Sequence, residues 1–178
     1  MLKKSSKTAL GGIVAALSVS IMFMVSIVPF LTYALPAAAA ALLIPVIVEI
    51  NKKWALGVYL SVSILSLLIL PNKEVAVIYT AFFGYYPILK SFLESHMKKT
   101  PELILKLIIF NGAITVSYYL MMKFMGITID ELDNFGTYAV PILLGFGTVA
   151  FILYDYSLTK IISLYLYKWQ RQFRKMFK

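Results

Sequence analysis

Six long apolar stretches fill almost the whole chain, and most of its lysines and arginines fall in alternate gaps between them. The basic gaps hold Lys3, Lys4 and Lys7, then Asn51-Lys52-Lys53, then Lys90 with Lys98-Lys99, and finally Lys168, Arg171, Arg174, Lys175 and Lys178. The intervening gaps are different. Pro29 to Pro36 carries no charge, Pro71-Asn72-Lys73-Glu74 is mixed, and Lys123 to Thr137 contains Asp130, Glu131 and Asp133. Short loops rich in Lys and Arg stay cytoplasmic during insertion. An even number of spans with two basic ends therefore predicts an all-α membrane protein, a six-helix transmembrane bundle with both termini cytoplasmic.

Composition supports that reading and narrows it. Hydrophobic residues make up 61% of the chain and the mean hydropathy is +0.85, beyond the usual apolar share of a soluble domain. A span needs about 20 apolar residues to cross a hydrocarbon core about 30 Å thick. In 178 residues, six spans leave only short connections, so residues 1–178 are expected to form a single six-span domain. The formal charge of +9 is mixed with too much apolar sequence to point to nucleic acid. It is expected to set orientation and to meet anionic lipid headgroups. The run from Ala9 to Val28 exceeds the apolar region of a signal peptide, about 7–15 residues. It is therefore read as a retained first span, although Ala37-Ala38-Ala39 has the small residues of a cleavage site.

Local signals divide the spans. Pro29 ends or kinks the first helix. The second, Pro36 to Ile50, is short and carries Pro45, so it is expected to be bent or to begin earlier. The third runs from about Trp54 to Leu70, with Trp54 as an interfacial anchor. The fourth runs from Val75 to Leu93 and is interrupted by Gly84 and Pro87. The fifth starts most clearly, with Thr100 as N-cap, Pro101 at the first helical position and Glu102 at the positive end of the dipole, and extends to about Met122. The sixth begins near Thr137 or Pro141 and continues past Tyr165.

Several chemistries lack their residues. There is no cysteine and one histidine, His96, which is read as a solvated loop residue. No Walker A, nucleophile-elbow or zinc-protease motif occurs. The expectation is therefore a non-enzyme with no catalytic residues, no metal ligands and no cofactor. Charge inside a bilayer is costly and by default marks function. Asp155 and Lys106 are placed at a similar depth and read as a structural pair, with an Asp155–Lys160 contact as the alternative and a proton relay as the functional rival. Glu49 is read as an interfacial charge, and Asn111, near the midplane, as an interhelical hydrogen-bonding residue, with ligand contact as the alternative.

Two constellations remain. At the outer side, Asn72, Glu74, Tyr79, Asn134 and Tyr138 form a candidate substrate-binding set, alongside Lys73, Tyr118, Tyr119 and Lys123. Belt anchoring is the alternative for the tyrosines. On the first helix, Gly11 and Gly12 are followed four residues later by Ala15 and Ala16, a smooth face of the kind along which membrane helices pack. Ala76, Thr80 and Gly84 repeat the pattern on the fourth helix. At least one stripe is expected to serve internal packing, and the first to meet an external partner.

The segment Lys7-Thr8-Ala9-Leu10-Gly11-Gly12-Ile13-Val14-Ala15-Ala16-Leu17, on a chain of six short spans with basic ends, resembles the first helix of the substrate-binding S components of energy-coupling factor transporters. The resemblance implies docking of a transmembrane coupling subunit on the small residues, separate ATPases, and a vitamin-like small molecule bound at the outer side in the cell membrane. The match covers the whole chain in topology but only Gly11 to Ala16 in motif. The uncharged first outer loop departs from it, and no signature of a particular vitamin is present. The rival class is a non-transporting membrane scaffold of the MreD type, which binds other membrane proteins and needs no outward cup.

Overall fold

The computed structural model describes residues 3–120, 123 and 139–170, apart from the side chains of Tyr118 and of residues 139–143. Among these residues there are helices and no strand. Asn134, Tyr138, the acidic loop at Asp130 to Asp133 and the basic residues from Arg171 onward lie outside the described residues.

The chain begins with α1 (Lys4–Phe23), which continues through a 3-10 turn at Met24–Ser26. Pro29 does not lie inside a helix but opens a second such turn, Pro29–Leu31. The predicted short helix is two pieces, α2 (Ala34–Ala41) and α3 (Ile44–Glu49). Next come α4 (Lys52–Ile69), α5 (Lys73–Ile78) with a π-helical segment at Tyr79–Phe83, and α6 (Tyr86–His96). The last two are α7 (Lys99–Leu120) and α8 (Ala139–Leu164), the latter extended by a π segment at Tyr165–Trp169. The start of α7 falls at Lys99, one residue before the expected cap Thr100, with Glu102 in its first turn.

Five of these units are long and apolar enough to cross a membrane: Lys4–Ser26, Lys52–Ile69, Lys73–His96, Lys99–Ser117 and Leu144–Trp169. The sixth, Ala34–Glu49, is shorter. Even straight it would reach only about 24 Å at 1.5 Å per residue, less than the hydrocarbon core. It is instead the inner element. α2 packs against α1, α5, α6, α8 and the first π segment, and Ala39, Ala40, Leu43 and Val46 are fully buried. The alanine run explains this position, because methyl side chains let several neighbours approach one backbone closely. Ser18 on α1 donates to the Ala39 carbonyl at 3.2 Å, tying the two helices at their contact.

The outer surface is apolar. Ile13 and Leu17 on α1, Leu60, Ile64 and Leu68 on α4, Ile104 and Ile108 on α7, and Phe146, Val149 and Leu153 on α8 are all exposed. Such a surface is a liability in water and the expected finish in a bilayer. The fold is therefore compatible with a multi-pass membrane protein.

The π segment has a specific internal logic. The Gly84 N–H bonds the Tyr79 carbonyl at 2.7 Å, five residues back rather than four. That shift releases the Thr80 carbonyl, and the Tyr59 hydroxyl of α4 donates to it at 2.7 Å. To reach it, the Tyr59 ring crosses Gly84, where an added Cβ would lie 2.6 Å from Tyr59 Cδ2 and 2.7 Å from Tyr79 Cε1. Only glycine leaves room for that ring.

Candidate functional site

Where α6, α7 and α8 meet, six side chains build a connected polar cluster inside an otherwise apolar bundle. Tyr86, Lys90 and Glu94 recur at four-residue intervals and so share one face of α6. Glu102 and Lys106 do the same on α7, and Asp155 comes from α8. One oxygen, Asp155 Oδ1, accepts from Tyr86 at 2.5 Å, from Lys90 at 2.6 Å and from Lys106 at 3.2 Å. Lys90 also meets Glu94 at 2.6 Å. Lys106 meets Glu94 at 3.2 Å and Glu102 at 2.5 Å.

Lys90 is 0% exposed and Lys106 1%, so neither ammonium has water as its main partner. Burying a lysine uncompensated would cost several kcal/mol. Here each lysine faces two or three oxygens, so the desolvated charges are matched by charge-assisted hydrogen bonds. The formal sum is two lysines against three carboxylates, or −1. Glu94 carries the excess most easily, its side chain being 39% exposed against 19% for Asp155. The cluster ties three helices together through charge-assisted hydrogen bonds. Among the described residues no group of three or more His, Asp or Glu is arranged to hold a metal.

An aromatic stack continues from this tie into the core. Phe110 and Phe151 lie face to face at 4.7 Å, and Phe82 meets both edge-on, at 5.0 and 5.6 Å. Tyr86 contacts Phe82 at 4.9 Å and Phe151 at 5.2 Å, so it joins the rings to Asp155. The hydroxyl is the reason tyrosine is suited to this position.

The two alternatives for Asp155 are resolved by this geometry: it meets Lys106, whereas Lys160 lies over the Tyr156 ring at 5.2 Å. Lys90, counted above among the loop charges, is a correction, since it is fully buried on α6. The i,i+4 pairs Lys90–Glu94 and Glu102–Lys106 were the available signal, masked by the basic loop between them. Asn111 is a second correction. Its amide donates to the Leu107 carbonyl of its own helix at 2.9 Å rather than across helices. His96 is exposed as expected, but it ends α6 instead of lying in a loop, with its ring stacked on Phe92 at 4.5 Å.

The outer set is placed as follows. Asn72 caps α5, accepting from the Glu74 and Val75 N–H groups at 3.0 and 3.4 Å. Lys73 reaches back to the Leu67 carbonyl at the end of α4, 2.8 Å away. Glu74 accepts from the Tyr33 hydroxyl at 3.2 Å. Tyr79 is fully buried, with its ring 6.3 Å from that of Tyr59. Lys123 donates to the Tyr119 hydroxyl at 3.3 Å. Asn134 and Tyr138 belong to the residues outside the description, so the structure brings Asn72 and Glu74 to one helix end and sets Tyr79 in the core.

The small-residue stripe on α1 divides between two faces. Gly11 and Ala15 are buried, and an added Cβ at Gly11 would lie 3.1 Å from Val58 of α4. Gly12 and Ala16 are exposed, with nothing within 4 Å of a Cβ at Gly12. Between α1 and α4 runs a groove of about 550 Å³, lined by Thr8, Gly12, Ala15, Gly57 and Ser61, with Lys53 and Trp54 at one end. Comparison with family models, curated proteins and solved structures finds no match to this chain.

Proposed function

We propose that this protein is a non-enzymatic, membrane-embedded substrate-binding subunit. It would take up a vitamin-like or apolar, aromatic small molecule in the cell membrane together with a separate transmembrane coupling subunit and its ATPases. The observation that carries the reading is the α1–α4 groove, a membrane-facing channel floored by small residues. There, Gly12 and Gly57 allow a partner helix to approach two backbones at once, with the exposed Ala16 one turn further along α1. The basic ends and the Lys/Arg asymmetry support cytoplasmic termini. Reporter fusions after Lys53 and Lys99 should accordingly read cytoplasmic and fusions near Asn72 external. An external signal after Lys99 would overturn this orientation.

The docking test uses the division of the stripe. Gly12→Leu with Ala16→Leu projects into open space, so the protein should insert and fold normally and lose co-purification with an energy module. Gly11→Leu, by contrast, meets Val58 and should destabilise the fold itself. Retained association in the Gly12/Ala16 double variant would remove α1 as the docking face.

The scaffold reading has one observation in its favour: Asn72 and Lys73 serve helix ends, Glu74 is bonded to Tyr33, and Tyr79 packs in the core. Native mass spectrometry of the purified protein separates the two. A retained small molecule supports the transport subunit, and a complex with other membrane proteins lacking any ATPase supports the scaffold.

A further inference from the structure

A second groove, of about 350 Å³, runs between α4 and α6 on a different side of α4 from the docking channel. Its walls are Leu56, Ile88 and Phe92, with Tyr85 at one end and Lys52 and Lys53 at the other. From Phe92 to Tyr85 it follows two turns of α6, about 10 Å at 1.5 Å per residue, against a leaflet hydrocarbon depth of about 15 Å. Leu56 and Phe92 are 46% and 50% exposed, so the walls are open to the bilayer. An apolar trough of that length, closed at one end by two ammonium groups, has the shape of one lipid chain below one headgroup.

The lysine end is built rather than incidental. Lys52 bridges the groove, donating from α4 to the Ser91 carbonyl at 3.0 Å and to Ser95 Oγ at 3.4 Å on α6, with its ammonium 5.4 Å from the Phe92 ring centre. An ammonium has three donors, so one remains for a ligand, on a side chain already fixed in position. Holding it in place beforehand lowers the ordering cost of binding. Lys53 beside it is exposed. Both lie in the first turn of α4, where the helix dipole adds positive potential. Basic pockets between transmembrane helices with apolar walls suit anionic lipid headgroups.

We propose that the α4–α6 groove is a binding site for one anionic phospholipid, its phosphate held at Lys52 and Lys53 and one acyl chain lying along Leu56, Ile88 and Phe92. The proposal rests on the membrane setting; Lys53 stands at the end of both grooves, whereas Leu56 lines the α4–α6 groove alone, so a Leu56 variant separates lipid binding from docking on α1. The probes are dioleoyl phosphatidylglycerol and dioleoyl phosphatidylcholine, added in equal amounts to the detergent-purified protein and read by native mass spectrometry. Phosphatidylglycerol should be retained preferentially and saturate at one equivalent. Lys53→Gln should weaken it about fivefold, the change corresponding to roughly 1 kcal/mol per lysine, and leave phosphatidylcholine unchanged. Leu56→Trp, which fills the trough, should reduce retention of both lipids. Lys160→Gln removes the same charge on α8 and should change neither. Equal retention of the two lipids by the unaltered protein would overturn the site, as would equal losses in the Lys53 and Lys160 variants, which would reduce the effect to net charge.

Discussion

Lys106→Met should be among the most damaging single substitutions in this protein, costing about 3 kcal/mol, because it removes a buried cation shared by three partly exposed carboxylates. Lys106 meets Glu94, Glu102 and Asp155, and after its removal the cluster carries three acids against Lys90 alone, a formal −2 in place of −1. Asp155→Asn acts in the opposite direction. It brings the formal sum to zero, keeps an oxygen for Tyr86 and Lys90, and leaves Lys106 paired with both glutamates. Its cost should be only about 1–2 kcal/mol, the loss of charge assistance in hydrogen bonds that otherwise persist. Unfolding in mixed micelles of SDS and a mild detergent measures both free energies. An Asp155→Asn loss equal to or larger than that of Lys106→Met would show that the convergence on Oδ1, not the charge balance, holds the three helices together.

Gly84→Ala should be the other severe change, despite adding one methyl group. Its Cβ would lie within 2.7 Å of ring carbons of both Tyr59 and Tyr79, and neither ring can withdraw freely, since they pack against each other. Overpacking of this kind costs about 1–3 kcal/mol. Displacing Tyr59 also strands the Thr80 carbonyl, at about 1–3 kcal/mol more, so the total should fall at about 2–6 kcal/mol. Tyr59→Phe alone should show only the carbonyl term. The two changes share that term, so the double variant should be more stable than the sum of the singles implies by about 1 kcal/mol or more, as expected for residues in direct contact. Strict additivity would mean that Gly84 and Tyr59 act separately and that the π segment is held by something else.

The two predictions mark different degrees of legibility. The i,i+4 spacing of Lys90–Glu94 and Glu102–Lys106 is visible in the chain, and Asp155 with Lys106 was paired on depth alone. What concealed Lys90 was its neighbourhood, because a lysine eight residues from Lys98 reads as part of a basic loop until α6 is seen to extend to His96. Nothing comparable announces the Tyr59–Gly84 unit. A π register is a choice of hydrogen-bond partner, five residues back or four, and the released carbonyl is compensated from another helix 21 residues away.

Hydropathy and charge spacing by themselves determined the apolar segments, the Pro and Asn punctuation at their ends, and the shortness of the second one, because these depend on local composition and chain length. They also carried the pairing of Asp155 with Lys106, since a charge in an apolar segment needs a counter-charge at the same depth. Which face of α1 is free was decided only by tertiary packing: Gly11 and Gly12 are adjacent in sequence and chemically identical, yet one meets Val58 and the other meets nothing. The same holds for the alanine run of α2, which small side chains permit at a surface, a cleavage site or a bundle centre. Its place at the centre follows from having five neighbouring elements to bury it, and that is a property of the whole assembly.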